Sequence, residues 1–118
     1  MKKVFAASAF LMTVFIILYL AGVVDFNNTI NKSLAEGNRY YLEGQYSEAL
    51  ASYQNGLQKA PGHQVLNYNA GQASYMLQSW QEAADYYGKA DEKTDTYLNR
   101  GNAYFMAGES TEDINQKL

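Results

Sequence analysis

The chain contains one histidine, His63, and no cysteine. Thiol nucleophiles, thiolate metal sites, disulfides and a lipid-modified cysteine are therefore excluded. A lone imidazole has no second histidine with which to build a metal set or a proton relay. His63 directly follows Pro61-Gly62 and reads as a solvated loop residue. Asp91, Glu92 and Asp95 lie close together. A calcium loop needs oxygen ligands in regular alternation around a central glycine. That pattern is missing, so the acids read as the solvated end of a helix. No glycine-rich phosphate loop is present, because the glycines stand singly. Asn27-Asn28-Thr29 and Asn31-Lys32-Ser33 fit the glycosylation acceptor pattern, which matters only on a eukaryotic secretory route. The expectation is no enzyme, no cofactor and no metal.

Composition narrows the class further. The 118 residues include 11 tyrosines and one proline, a balance that suits helices with aromatic packing. The formal net charge is -3. From Asp25 onward there are 7 basic and 12 acidic residues. A nucleic-acid partner is not expected on so acidic a surface, since phosphate contacts demand clustered Lys and Arg.

Residues 4–24, VFAASAFLMTVFIILYLAGVV, carry no charge. As a helix this stretch reaches about 31 Å at ~1.5 Å per residue, enough to cross a hydrocarbon core of ~30 Å. Lys2 and Lys3 precede it and Asp25 follows. The positive-inside rule then keeps the N-terminus in the cytoplasm and sends the remainder across. A cleaved signal peptide would have an apolar region of roughly 7–15 residues ending in small side chains. Here the end is Leu20-Ala21-Gly22-Val23-Val24. An uncleaved signal-anchor over 1–25 is favoured, followed by a linker at 26–29.

Laying the remainder on itself reveals a repeat. Gly37 and Gly71 are 34 residues apart in similar settings, and Gly101 stands in a third. The unit 30–63 carries Gly37, Tyr40, Gly44, Tyr46, Ala49, Tyr53, Gly56 and Pro61. The unit 64–93 carries Gly71, Ser74, Trp80, Ala83, Tyr87 and Ala90. A third unit, 94–118, carries Gly101, Tyr104 and Gly108. Small residues let two helices approach, and the aromatic residues fill the space between hairpins. Pro61-Gly62 stops a helix. Helices are expected at 31–43, 47–59, 64–77, 80–91 and 95–107. This arrangement resembles the tetratricopeptide-repeat (TPR) family over residues 30 to about 109. The implied fold is all-α, a transmembrane helix followed by a TPR helical-hairpin solenoid of about two and a half repeats.

Two departures from the family pattern stand out. Gly71 to Gly101 spans only 30 residues. The shortening falls near 91–94 and should remove about one turn of ~3.6 residues from the preceding helix. The third unit is incomplete, with Asp113 where alanine belongs. Ser110 or Thr111 is expected to cap a further helix starting at Glu112. Solenoids bury a continuous core only by stacking and need a polar terminal cap. The expectation is a longer natural protein, or something else covering helix 95–107.

The resemblance implies protein binding. In such repeats the first helices of successive hairpins line a concave groove, and amides there bond a ligand backbone, which they can do as donor and acceptor. Asn38, Asn69, Gln72, Asn99 and Asn102 occupy those positions, with Tyr68, Arg39 and Arg100 at the groove edge. The carboxylate clamp for chaperone C-termini is rejected. Asn38 and Asn69 match its asparagines, but Leu34, Asp95 and Asn99 replace its cations, and a terminal carboxylate would lose its charge-assisted bonds. The layout is similar to small anchored bacterial TPR proteins of the Bat aerotolerance type, encoded beside von Willebrand A-domain proteins; the phrase at 101–109 resembles their repeats. The implied role is an envelope scaffold in the cytoplasmic membrane, single-pass, with its repeats extracytoplasmic. The alternatives are a self-assembling homo-oligomer and a chaperone-like accessory of a secretion translocon.

Overall fold

In a computed structural model the chain is described over residues 2–90 and 93–116. Those residues form five helices and no strand: α1 (Lys2–Leu42), α2 (Tyr46–Lys59), α3 (Gln64–Met76), α4 (Trp80–Lys89) and α5 (Thr94–Gln116). The all-α expectation holds.

α1 corrects the sequence reading. No linker separates anchor and repeats at 26–29, and a single helix of 41 residues runs through. The segment Asp25–Thr29 contains neither glycine nor proline. Asn and Thr are mediocre helix formers, costing roughly 0.5 kcal/mol each relative to Ala. Breaking the helix would cost more, because a second nucleation would be needed. Thr29 Oγ1 donates back to the Asp25 carbonyl at 3.1 Å, which satisfies its hydroxyl inside the helix. Within Ser8–Leu42 the apolar part has a mean hydropathy of 2.3, and none of it is buried. This helix is long and apolar enough to cross a membrane. From Ser8 onward, Ile30 is its first buried residue, about 9 Å beyond Val24 at ~1.5 Å per residue.

The last turns of α1 and α2 form one hairpin, and α3 and α4 form another. Their turns share one chemistry. Gly44 N donates to Tyr41 O and Gln45 N to Tyr40 O, at 3.1 and 2.9 Å. Gln78 N and Ser79 N repeat this with Tyr75 O and Ser74 O, at 3.0 and 2.9 Å. Both are Schellman ends, which place one residue in the left-handed region. That residue is Gly44 in the first hairpin (φ +75°) and Gln78 in the second (φ +62°).

Glycines and tyrosines lock each hairpin. Tyr53 lies on Gly37 and Tyr87 lies on Gly71, so closely that no Cβ would fit. Both rings are buried, and each such burial stabilises by roughly 2–3 kcal/mol. Ile30, Ala49, Tyr53, Leu66, Ala70 and Ala73 make one core. Ala83, Ala84, Tyr87 and Ala103 make the next. α4 has 10 residues against 14 in α2, the shortening that the sequence implies. Ala90, expected at a packing position, forms the C-cap of α4.

α5 departs from expectation. It does not stop near 107 but continues unbroken to Gln116. Ser110 and Thr111 cap nothing; both hydroxyls donate back to the Ala107 carbonyl at 2.9 Å. Gly108 holds the place of Gly44, yet the chain does not turn there. Gly101 and Tyr104, expected as packing residues, are exposed.

Candidate partner-binding face

Hydrogen bonds between non-neighbouring helices define two faces. On one, the Asn69 amide of α3 donates to Asn38 Oδ1 of α1 at 3.1 Å. One hairpin on, the Asn99 amide of α5 donates to the Tyr68 hydroxyl of α3 at 3.2 Å. Asn69 and Asn99 occupy equivalent places and both reach back to the previous odd-numbered helix. On the opposite face, Gln54 of α2 donates to the Tyr86 hydroxyl of α4 at 2.9 Å. The odd helices therefore line one surface and the even helices the other.

The six residues singled out from the sequence, Asn38, Tyr68, Asn69, Gln72, Asn99 and Asn102, all lie on the odd-numbered helices. Four are tied to one another in pairs: Asn38 with Asn69, and Tyr68 with Asn99. Asn38 Oδ1 also accepts from the Tyr53 hydroxyl at 2.8 Å. These amides thus brace the stack as well as face outward. Asn102 is exposed and Gln72 half-buried. Arg39 instead pairs with Glu43 at 3.2 Å and covers the Tyr40 ring, and Arg100 lies over Tyr97.

A recess of about 200 Å³ adjoins the Tyr68–Asn99 bond, lined by Gln64, Val65, Tyr68, Lys93, Asp95 and Thr96. Sequence reasoning passed over Gln64, Val65 and Thr96; only the meeting of the N-termini of α3 and α5 brings them together. Val65 is 52% exposed beside the Tyr68 ring, an apolar contact within an otherwise polar surface.

Two local details escaped sequence reasoning. His63 is not a free loop residue but the N-cap of α3, with Nδ1 accepting from Leu66 N at 3.3 Å. Asn67 is buried and donates to the carbonyls of Pro61 and His63, at 2.9 and 3.1 Å. It holds the loop that sets α3 against α2. The spacing from Pro61 was its only signal. Ser33, in a possible glycosylation acceptor, is buried in α1.

Burial pushes the Tyr53 hydroxyl up to about 12, aided by the nearby Tyr41 and partly offset by the Asn69 amide. Burial also raises Tyr87, with Tyr68 adding to the effect. Both phenols are neutral at ordinary pH and act as packing groups, not as acids. Among the described residues no three His, Asp or Glu side chains meet where a metal could be held; Asp91 and Glu92 lie outside them.

The fold and this face define a class: an all-α chain in which a helix apolar enough to span a membrane runs directly into stacked helical hairpins. Comparison with protein-family models finds no match for the chain, and comparison with curated proteins finds none.

Proposed function

We propose that the chain is a membrane-anchored TPR scaffold that holds a peptide or helix of another protein against the odd-helix face. The observation that carries this reading is the pair of amides at equivalent places on that face, Asn69 and Asn99, each donating to a polar side chain of the previous odd-numbered helix. Amide and hydroxyl groups carried by successive odd-numbered helices can donate to and accept from the polar groups of a ligand backbone. The recess between Val65 and Tyr68 supplies an apolar contact beside it. Residues 4–24 hold the chain in the cytoplasmic membrane with the hairpins outside, and the partner belongs to an envelope complex of the Bat type.

Photocrosslinking tests the face. A photoreactive residue at Asn102 or Gln72 of the full chain, in its own membrane, should capture the same partner. The same residue at Gln58 on the even-helix side should not. Equal capture from both sides would overturn the reading. Protease added outside sealed right-side-out vesicles should digest the hairpins; protection there would reverse the topology.

A further inference from the structure

The two hairpins give two examples of how a first helix is covered. A Cβ on Gly71 would lie 2.8 Å from Tyr87, and one on Gly37 would run into Tyr53. Gly101 is the equivalent glycine of α5, and a Cβ there would meet nothing within 4 Å. The flanking positions repeat the contrast. Leu34 and Tyr41 are half-buried against the first core, and Tyr68 and Tyr75 against the second. Their α5 counterparts, Leu98 and Phe105, are 63% and 64% exposed. Tyr41 meets Tyr46 edge-on at 5.2 Å, and Tyr75 meets Trp80 at 4.8 Å. Phe105, at the equivalent place, makes no such ring contact among the described residues and is exposed.

We propose that this face of α5 is a docking site for one helix of a partner protein, and the chain itself writes out the required helix. Both covering helices open with an aromatic residue, place alanine three positions on, and set a tyrosine four beyond that. These are Tyr46, Ala49 and Tyr53 in α2, and Trp80, Ala83 and Tyr87 in α4. The aromatic start stacks on Phe105, the alanine permits close approach, and the tyrosine fills the hollow over Gly101.

The site continues an interface that already exists. Ala103, on the other side of α5, is fully buried in the core that it shares with α4. α5 is thus seated in the stack, and its open face is the next surface in the series. Residues 110–117 do not meet the requirement. Ser110, Asp113 and Lys117 stand at the three positions, and α5 runs straight through Ser110 instead of folding back. A second copy fits poorly. Its α2 and α4 are already closed on α1 and α3, and α5 contains no aromatic–alanine–aromatic series at this spacing. The site borders the amide face at Asn102, the counterpart of the Asn38 that accepts from Tyr53 in the first hairpin, but it is defined by the open face of α5 alone.

The test uses the full chain in detergent micelles and a fluorescent peptide of residues 45–60. Saturable binding is expected, weakened at least tenfold by Tyr53→Ala in the peptide. Gly101→Leu in the chain should weaken it equally, since a Cβ at 101 meets nothing within 4 Å and the added side chain occupies the hollow that the tyrosine would fill. Phe105→Ala gives an independent check, with circular dichroism confirming unchanged helix content. Binding indifferent to both chain variants, or no binding at millimolar peptide, would overturn the proposal. So would a wild-type chain that pairs with itself and loses the pairing in Gly101→Leu without binding peptide, for then a second copy is the occupant.

Discussion

The Tyr53 hydroxyl donates to Asn38 Oδ1 at 2.8 Å, joining the ring that fills the first hairpin to the amide face outside it. The same oxygen accepts from Asn69. One acceptor thus links α1, α2 and α3.

Asn38→Ala should therefore destabilise more than Tyr53→Phe. The first leaves a part-buried hydroxyl and an amide without their acceptor, at about 1–3 kcal/mol; the second removes one hydrogen bond, at about 0.5–1.5 kcal/mol. Urea unfolding of the two variants and of the double variant checks the order. A larger loss for Tyr53→Phe would mean that Asn38 braces nothing.

Gly71→Ala and Gly101→Ala should have opposite signs. Alanine at 71 forces the Tyr87 ring to move. Overpacking of ~1–3 kcal/mol outweighs a helix-propensity gain of ~1 kcal/mol. Alanine at 101 meets nothing, so only the gain of about 0.5–1 kcal/mol remains. Thermal melts should show Tm falling for the first and rising for the second.

Gln78 occupies a left-handed position that Gly44 fills in the first hairpin. A side chain there costs roughly 1–2 kcal/mol, against about 0.4–1 kcal/mol of added unfolded-chain entropy for glycine. Gln78→Gly should raise stability by about 0.5–1 kcal/mol, measured by chemical denaturation. No gain would mean that the turn relaxes around glutamine.

Raised tyrosines predict alkaline loss of stability. Tyr53 moves from 10.0 to about 12 on folding, because burial disfavours the phenolate. A folded value above the unfolded one contributes stability that is fully present below about pH 10 and lost as pH rises toward 12. Unfolding free energy should therefore fall across that window. Tyr53→Phe should flatten the fall, and an unchanged slope would show that Tyr53 does not drive it.

The hairpins were legible because glycine, alanine and aromatic residues must recur wherever helices close on one another. The shortened α4 was legible because four residues are missing between Gly71 and Gly101. The unbroken α1 was not, because Asn27, Asn28 and Thr29 favour a loop locally, while the cost of a second nucleation decides the outcome. Nor was the straight course of α5. Gly108 permits a turn, but a turn forms only when the next residues have a surface to cover, and Ser110 and Asp113 do not. The positions of the amides could be read, whereas their bonds to one another depend on how far the hairpins approach. Asn67 was hidden for a similar reason, since its partners are carbonyls of a loop that only the fold brings within reach.

The unbroken α1 has a mechanical consequence. A flexible tether would let the hairpins swing through every azimuth above a bilayer, whereas a continuous helix assigns one. Inserting a single residue between 25 and 29 would rotate the amide face by ~100° and raise it by only ~1.5 Å. The composition of that stretch matters less than its number of residues, which sets the compass bearing of the amide face relative to the apolar part of the same helix.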